Sequence, residues 1–92
     1  DFKESVEKEL DETSFTLYPN PSRENLFIDF DKYNDQFVYT YRIMNMHGKI
    51  MKEGRIQSGL QEVNTEGLSK ASYILIILEN GNQFERQSFA KL

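Results

Sequence analysis

The chain contains no cysteine, and this absence excludes two kinds of site. Neither a disulfide framework nor a thiolate metal site can form without the thiol side chain. The 92 residues include a single histidine, His47, and no serine or cysteine arrangement around it suggests a nucleophile with its base. No glycine-rich nucleotide-binding pattern is present either. We therefore expect a protein that is not an enzyme and that uses no cofactor.

Long apolar runs are also absent. The longest is YILIIL at residues 73–78, which is far shorter than the roughly 18 residues needed to cross a bilayer as a helix. The first residues are acidic and lack the apolar segment of a secretory signal. We expect no transmembrane segment, and a signal upstream of these residues if the protein leaves the cytoplasm.

Basic residues are not clustered along the chain. Residues 1–12, DFKESVEKELDE, hold six acidic residues and two lysines, whereas residues 13–92 hold nine acidic and nine basic residues. Binding to nucleic acid requires clustered Lys and Arg that neutralise phosphates. A neutral body with an acidic start therefore argues against a nucleic-acid partner.

The acidic stretch predicts a division of the chain into a linker at residues 1–13 and one domain at residues 14–92. Phe2, Val6 and Leu10 are spaced four apart and would also fit one face of a short helix. Isolated helices of this length are marginal in water, so we favour a flexible, solvated linker.

Two prolines stand one residue apart in FTLYPNPS, residues 15–22. Each proline fixes its own φ and pushes the preceding residue toward an extended conformation, which excludes a helix. Pro19 and Pro21 also lack a backbone donor, so they cannot lie in the middle of a sheet. They predict an edge or a turn at the beginning of a β domain.

Seven segments of strand length, rich in Ile, Tyr, Phe and Val, are separated by turn residues. They are predicted at Phe15–Tyr18, Asn25–Phe30, Phe37–Met44, Ile50–Arg55, Leu60–Asn64, Tyr73–Glu79 and Gln83–Lys91. Turns at roughly ten-residue spacing are typical of an antiparallel sandwich. The sequence therefore predicts an all-β fold.

Local patterns predict several details of these strands. Gly48 is expected to supply the positive φ of a bulged hairpin, and Asn80-Gly81 a type I′ turn. The sixth segment is apolar on both faces, which is typical of a strand at the centre of a sheet. Phe84 and Phe89 fall on opposite faces of the last segment and indicate either a bulge or a partner surface.

Two groups of residues resemble binding sites for other ligands. Asp29, Asp31 and Asp35 would suit calcium, but the glycine and glutamate of an EF-hand loop are missing. Tyr33 together with Tyr39 and Tyr41 would suit a sugar, but the alternation assigns the last two to the core.

Five stretches, taken in order, resemble one family. They are LYPNPS at 17–22, LFIDF at 26–30, YRIMNMHGKIMKEG at 41–54, LSKASYILII at 68–77 and NGNQFERQSFAKL at 80–92. Together they resemble the C-terminal sorting domain of proteins exported by the type IX (Por) secretion system of Bacteroidetes. The resemblance covers residues 15–92.

The resemblance implies a seven-stranded antiparallel immunoglobulin-like β-sandwich without catalysis. Such a domain directs a fused N-terminal cargo from the periplasm through the outer-membrane type IX pore, to the medium or the cell surface. The implied partners are the secretion machinery and a sortase-like surface peptidase, which would cut within residues 1–13. Exposed strand edges would also allow a homodimer to form through strand pairing.

The resemblance singles out twelve positions as motif or recognition residues. They are Tyr18, Pro19, Asn20, Pro21, Asn45, Gly48, Lys49, Leu68, Tyr73, Gly81, Phe89 and Lys91. The prolines and Asn20 would fix the passage from the linker into the first hairpin, and Phe89 would face a partner.

The chain departs from the family pattern at two places. Ala71 stands where members commonly have glycine, and Lys91 is followed by Leu92 where members commonly show more lysines. The alternative function is an accessory binding module for carbohydrate or a surface ligand, attached to a secreted hydrolase.

Overall fold

The computed structural model of the protein describes residues 15–92, so the predicted linker at residues 1–13 lies outside the described residues. The described chain contains seven strands and no helix, which confirms the all-β prediction. The strands are β1 (Phe15–Tyr18), β2 (Asn25–Phe30), β3 (Tyr39–Asn45), β4 (Ile50–Ile56), β5 (Leu60–Asn64), β6 (Ala71–Glu79) and β7 (Asn82–Lys91). They form a three-stranded sheet of order β1-β2-β5 and a four-stranded sheet of order β4-β3-β6-β7. Every neighbouring pair is antiparallel.

Both sheets contribute to one hydrophobic core. Alternate side chains of each strand point inward, and the edge-to-face contact of Phe30 in β2 with Tyr39 in β3, at 4.8 Å between ring centroids, joins the two sheets. The core comprises Phe15, Leu17, Leu26, Ile28, Phe30, Tyr39, Tyr41, Ile43, Ile56, Val63, Tyr73, Leu75, Ile77 and Phe89. Full burial of one such side chain contributes about 1.5–3 kcal/mol, so this cluster is the main source of stability.

The buried tyrosines confirm the alternation that assigned them to the core. Burial raises the pKa of the Tyr39 phenol, and the nearby Glu79 carboxylate raises it further. Burial likewise raises the pKa of the Tyr41 phenol. Both rings therefore remain neutral and serve the packing of the core.

Strand β6 lies inside the four-stranded sheet, between β3 and β7, as its apolar character predicted. Its residues Ile76 and Leu78 are also buried, although neither belongs to the core cluster between the two sheets. Ile76 is flanked across the ladder by Arg42 and Arg86. Arginine stems can cover an apolar neighbour while their charged heads stay in water.

Two strand boundaries differ from the prediction by two residues, and three others differ by one residue. The third strand begins at Tyr39 rather than Phe37, because Val38 bonds to the neighbouring hairpin turn: its amide donates to Asn80 Oδ1 at 3.0 Å, and its carbonyl accepts from the Asn80 amide at 2.7 Å. Phe37 is consequently exposed. The sixth strand begins two residues early, at Ala71, which pairs with Lys91.

The turn predictions are confirmed by the backbone. Gly48 has a φ of 87°, in the left-handed region that glycine adopts readily. Asn80 and Gly81 have φ values of 51° and 87°, as the type I′ turn between β6 and β7 requires.

Each of two ladders contains one extra residue. In β7 the partners of Ile77 and Leu78 are Glu85 and Gln83, so Phe84 is a bulge residue. This confirms the predicted bulge, and it explains why both Phe84 and Phe89 pack on the core. In β4, Met51 is the extra residue opposite β3.

Gly54 in β4 lies directly opposite Tyr41 in β3. A Cβ atom at Gly54 would come within 2.8 Å of Tyr41 Oη and 2.9 Å of two ring carbons. The buried Tyr41 ring therefore covers the glycine backbone, and this position requires the absence of a side chain.

We expect Gly54→Ala to lower the free energy of unfolding by about 1–3 kcal/mol, since the added methyl group must displace a buried ring. Urea unfolding of the purified chain measures this change.

Gly67→Ala is the matched control, because no atom lies within 4 Å of the Cβ position at Gly67. We expect its free energy of unfolding to change by no more than about 0.5 kcal/mol. Equal effects of the two substitutions would contradict the role given to the Tyr41 ring.

Candidate recognition surface

The residues singled out by the sequence gather at one end of the sandwich, with one exception. Asn45, Tyr73 and Phe89 form a single row across β3, β6 and β7. Tyr18 ends β1, and the segment after it reaches the end of β7. We call this the motif end. Gly81 lies at the opposite end, in the β6–β7 turn.

The proline segment, residues 19–22, holds the last residues of β7 at the motif end. Ser22 forms a parallel bridge with Lys91: the Ser22 amide donates to Ala90 O, and the Leu92 amide donates to Ser22 O, each at 2.8 Å. The Ala90 amide donates to Asn20 Oδ1 at 3.0 Å. The segment thus acts as a very short additional strand along this edge.

The residue types of the proline segment suit this pairing. Both prolines follow cis peptide bonds, after Tyr18 and after Asn20. Pro19 and Pro21 have no amide to leave unpaired, while Asn20 supplies an acceptor from its side chain and Ser22 supplies both backbone groups.

The position of the prolines corrects one expectation. They do not lie between the linker and the first hairpin but within that hairpin, because the proline segment follows β1 and leads into β2. The first described residue, Phe15, is at the other end of β1, where its carbonyl accepts a 2.6 Å hydrogen bond from Gln87 Nε2.

A buried pair of hydroxyl groups fastens the proline segment to the loop after β5. Ser22 Oγ and Thr65 Oγ1 are 3.3 Å apart, and neither residue has any exposed surface. Thr65 Oγ1 donates to Arg23 O at 3.3 Å, so the Ser22 hydroxyl is the donor to Thr65. The Thr65 amide donates to Glu24 O at 2.8 Å. Every proton in this pair therefore has an acceptor.

Asn45 builds the turn between β3 and β4. Its Oδ1 atom accepts from the amides of His47 and Lys49, both at 2.9 Å, and its carbonyl accepts from the Gly48 amide at 3.0 Å. The Asn45 amide in turn donates to Lys49 O. The N-x-x-G-K pattern is therefore the set of residues that closes this turn, with the Lys49 side chain left exposed.

The segment before β6 is tied to the motif end by two residues. Leu68 is half-buried against the core and closes a turn with the carbonyl of Thr65 at 3.0 Å. The hydroxyl of the buried Tyr73 donates to Ser69 O at 2.7 Å. Ala71 occupies strand backbone without a positive φ, so replacing the usual glycine introduces no strain.

The end of β7 differs from its predicted role. Phe89 is 3% exposed and stacks on Tyr73 at 5.8 Å, so the expectation that it faces a partner is wrong for the folded domain. Lys91 is largely buried, with its ammonium group donating to Leu92 O at 3.0 Å. Leu92 itself is exposed.

The exposed part of the motif end carries aromatic and proline side chains. Tyr18 stacks on Phe27 of β2 with 5.4 Å between ring centroids. An open cleft of about 350 Å³ lies beside this pair, lined by Pro19, Pro21, Arg23, Glu24, Asn25 and Phe27. Its lining therefore combines two prolines and an aromatic ring with charged and amide side chains.

The other candidate sites receive no support. Tyr33 is half-buried against Phe30 and Tyr39, and its hydroxyl donates to Gln57 O, so it offers no sugar platform. Within residues 15–92, no group of three or more His, Cys, Asp or Glu side chains is arranged to hold a metal ion, so nothing favours calcium at Asp29 and Asp31. No helix in the described range is long and apolar enough to cross a membrane.

Comparison with protein families decides the identity. The family described as the secretion system C-terminal sorting domain matches residues 16–90, nearly all of the described chain. The chain belongs to this family. It is therefore a sorting domain of the type IX secretion system, and its function is that of an export signal. No curated protein sequence matches the chain.

Three residues of the sorting domain that hold the motif end were missed by sequence reasoning. Ser22 ends the proline motif, and nothing in the local sequence marks Thr65 or Ala90 as its partners. The Ser22–Thr65 and Asn20–Ala90 contacts join residues 43 and 70 positions apart, and no periodic pattern signals such separations.

We expect Asn20→Ala to lower the free energy of unfolding of the sorting domain by about 1 kcal/mol, because the Ala90 amide loses its acceptor. Urea unfolding checks this value. Asn82→Ala, at an exposed position in the β6–β7 hairpin, is the control and should stay within about 0.5 kcal/mol of the parent. Equal losses of unfolding free energy in the two variants would contradict a stabilising role for the hydrogen bond between Asn20 and Ala90.

We expect Thr65→Val to cost about 1–3 kcal/mol, because the same shape is kept while the Ser22 hydroxyl and the Arg23 carbonyl lose their partner. A double-mutant cycle with Ser22→Ala measures the coupling. The double variant should be more stable than additivity predicts by at least about 0.5 kcal/mol. Strict additivity would mean that the two hydroxyls do not interact.

Proposed function

We propose that the secretion machinery recognises this sorting domain at its motif end, and that the domain itself has no catalytic activity. The observation that carries the proposal is the gathering of the motif residues. The proline segment, the Asn45 turn and the end of β7 come from distant parts of the chain and lie together.

The position of the first strand supports this assignment. A cargo joined ahead of Phe15 connects at one end of β1, while the proline segment follows the other end. Four strand residues separate these points by about 13 Å. The motif end therefore stays accessible when a bulky cargo is attached.

We further propose that residues 1–13 form the cleavable linker to the cargo. Under this proposal the cargo passes through the periplasm, and a sortase-like peptidase cuts the linker at the cell surface. The acidic composition of residues 1–12 supports a solvated segment, which a peptidase reaches more easily than packed strands.

The strand order supports an immunoglobulin-like assignment for the sandwich. A sheet of order β1-β2-β5 faces a sheet of order β4-β3-β6-β7, as in sandwiches in which the third and sixth strands pair at the centre. No feature of the surface formed by residues 15–92 favours the alternative function of an accessory binding module for carbohydrate or a surface ligand.

Export of a reporter tests the recognition proposal. Residues 1–92 are fused behind a fluorescent protein with a Sec signal peptide, in a Bacteroidetes host with and without a working type IX pore. We expect surface or medium fluorescence only with the pore. We expect Lys49→Glu, an exposed change at the motif end, to lower export by about tenfold, since an unfavourable interfacial charge costs on the order of 1 kcal/mol or more.

Lys32→Glu supplies the matched control, because Lys32 is exposed in the loop after β2, at the end opposite the proline segment. It should be exported like the parent. Loss of export by Lys32→Glu with normal export of Lys49→Glu would place recognition elsewhere, and unfolding measurements on both variants separate recognition from stability.

A further inference from the structure

The methionine and histidine side chains of this protein are concentrated around one turn. The chain has three methionines and one histidine, and all four lie within residues 44–51. They are Met44, Met46, His47 and Met51. The proposed recognition of the domain uses none of these side chains, so their grouping calls for a separate explanation.

Three of the four side chains meet at one cleft. Met46, His47 and Met51 line an open cleft of about 370 Å³ beside the start of β6. Asn45 links two of them, because its Nδ2 atom lies 3.7 Å from Met51 Sδ while its Oδ1 atom accepts from the His47 amide at 2.9 Å. The bulge at Met51 and the Asn45 turn thus bring together residues four and five positions apart.

Core packing does not explain these methionines. Met46 is 62% exposed and Met51 is 39% exposed. An exposed apolar side chain contributes little hydrophobic stabilisation. The thioether group is therefore the part of each side chain that is available for a function. Both sulfur atoms belong to side chains that solution ions can reach.

The donor set determines the kind of ligand. Thioether sulfur is a soft ligand that selects Cu(I), and imidazole also suits copper. Hard divalent cations prefer carboxylate and carbonyl oxygens, and no carboxylate lines this cleft. We propose that the cleft binds one soft monovalent ion, Cu(I) or its analogue Ag(I), through Met46 Sδ, Met51 Sδ and a ring nitrogen of His47.

Met44 provides a control within the same turn. It lies in β3, where its ladder partners are Ile50 and Ile74, and it is not part of the cleft lining. The same substitution can therefore be compared inside and outside the proposed site.

A titration of residues 1–92 with Ag(I) in chloride-free buffer tests the proposal, followed by the NMR signals of ¹³C-labelled methionine methyl groups. We expect the Met46 and Met51 methyl signals and the His47 ring signals to shift and to saturate at one ion per chain, while the Met44 methyl signal moves little. Absence of saturable shifts, or equal shifts at all three methionines, would overturn the proposal.

Variants assign the ligands. Cu(I) affinity is measured by competition with a chromogenic chelator under reducing conditions. Met46→Leu, Met51→Leu and His47→Gln should each weaken binding by more than the roughly tenfold that loss of an outer-shell partner costs. Met44→Leu should bind like the parent. A loss for Met44→Leu equal to the others would overturn the ligand set.

We expect each variant to keep the parent fold, because Met→Leu conserves side-chain volume and all the substituted ligands are exposed. Dispersion of the remaining methyl signals confirms folding in each case. The result is independent of export, so failure of the metal site leaves the recognition proposal untouched.

Discussion

The pairing of Ser22 with the end of β7 is the contact on which the motif end depends. It joins the connection between the first two strands to the last residues of the chain, through two backbone bonds of 2.8 Å and the Asn20 side chain. The buried Ser22–Thr65 hydroxyl pair extends this link to the loop after β5. Removing the pairing would leave buried polar groups unsatisfied, which is costly in a core of this size.

Two other family motifs serve the same end of the sandwich. The Asn45 turn closes the β3–β4 hairpin, and Tyr73 fixes the segment before β6 by bonding to Ser69 O. Because Asn45, Tyr73 and Phe89 share one row, the turn, the loop and the last strand are held in register by packing as well as by hydrogen bonds. The exposed surface of the motif end is therefore supported by residues that are themselves buried or bonded.

Local residue preferences predicted most of the fold, and the errors in the prediction come from contacts between residues far apart in the sequence. Runs of β-forming residues between turn residues predicted all seven strands, and the Gly48 and Asn80-Gly81 turns followed from their need for positive φ. The third strand was extended to Phe37 because alternation cannot show that Val38 bonds to Asn80, 42 residues away. The partner-facing role given to Phe89 is wrong because the extra residue at Phe84 turns Phe89 inward, and the sequence pattern alone left a bulge and a partner surface as open alternatives. No local sequence pattern predicted the pairing of Ser22 with the end of β7.

Amide hydrogen exchange tests the central claim most directly. The Ala90 and Leu92 amides point away from β6, to the outer edge of β7, where Asn20 and Ser22 accept their protons. Ser88 faces the same edge by the alternation of an antiparallel ladder, beyond the reach of the bridge at Ser22. The account predicts slow exchange at Ala90 and Leu92 and fast exchange at Ser88. Exchange at Ala90 and Leu92 as fast as at Ser88 would contradict it, because the proline segment would then not hold the last strand.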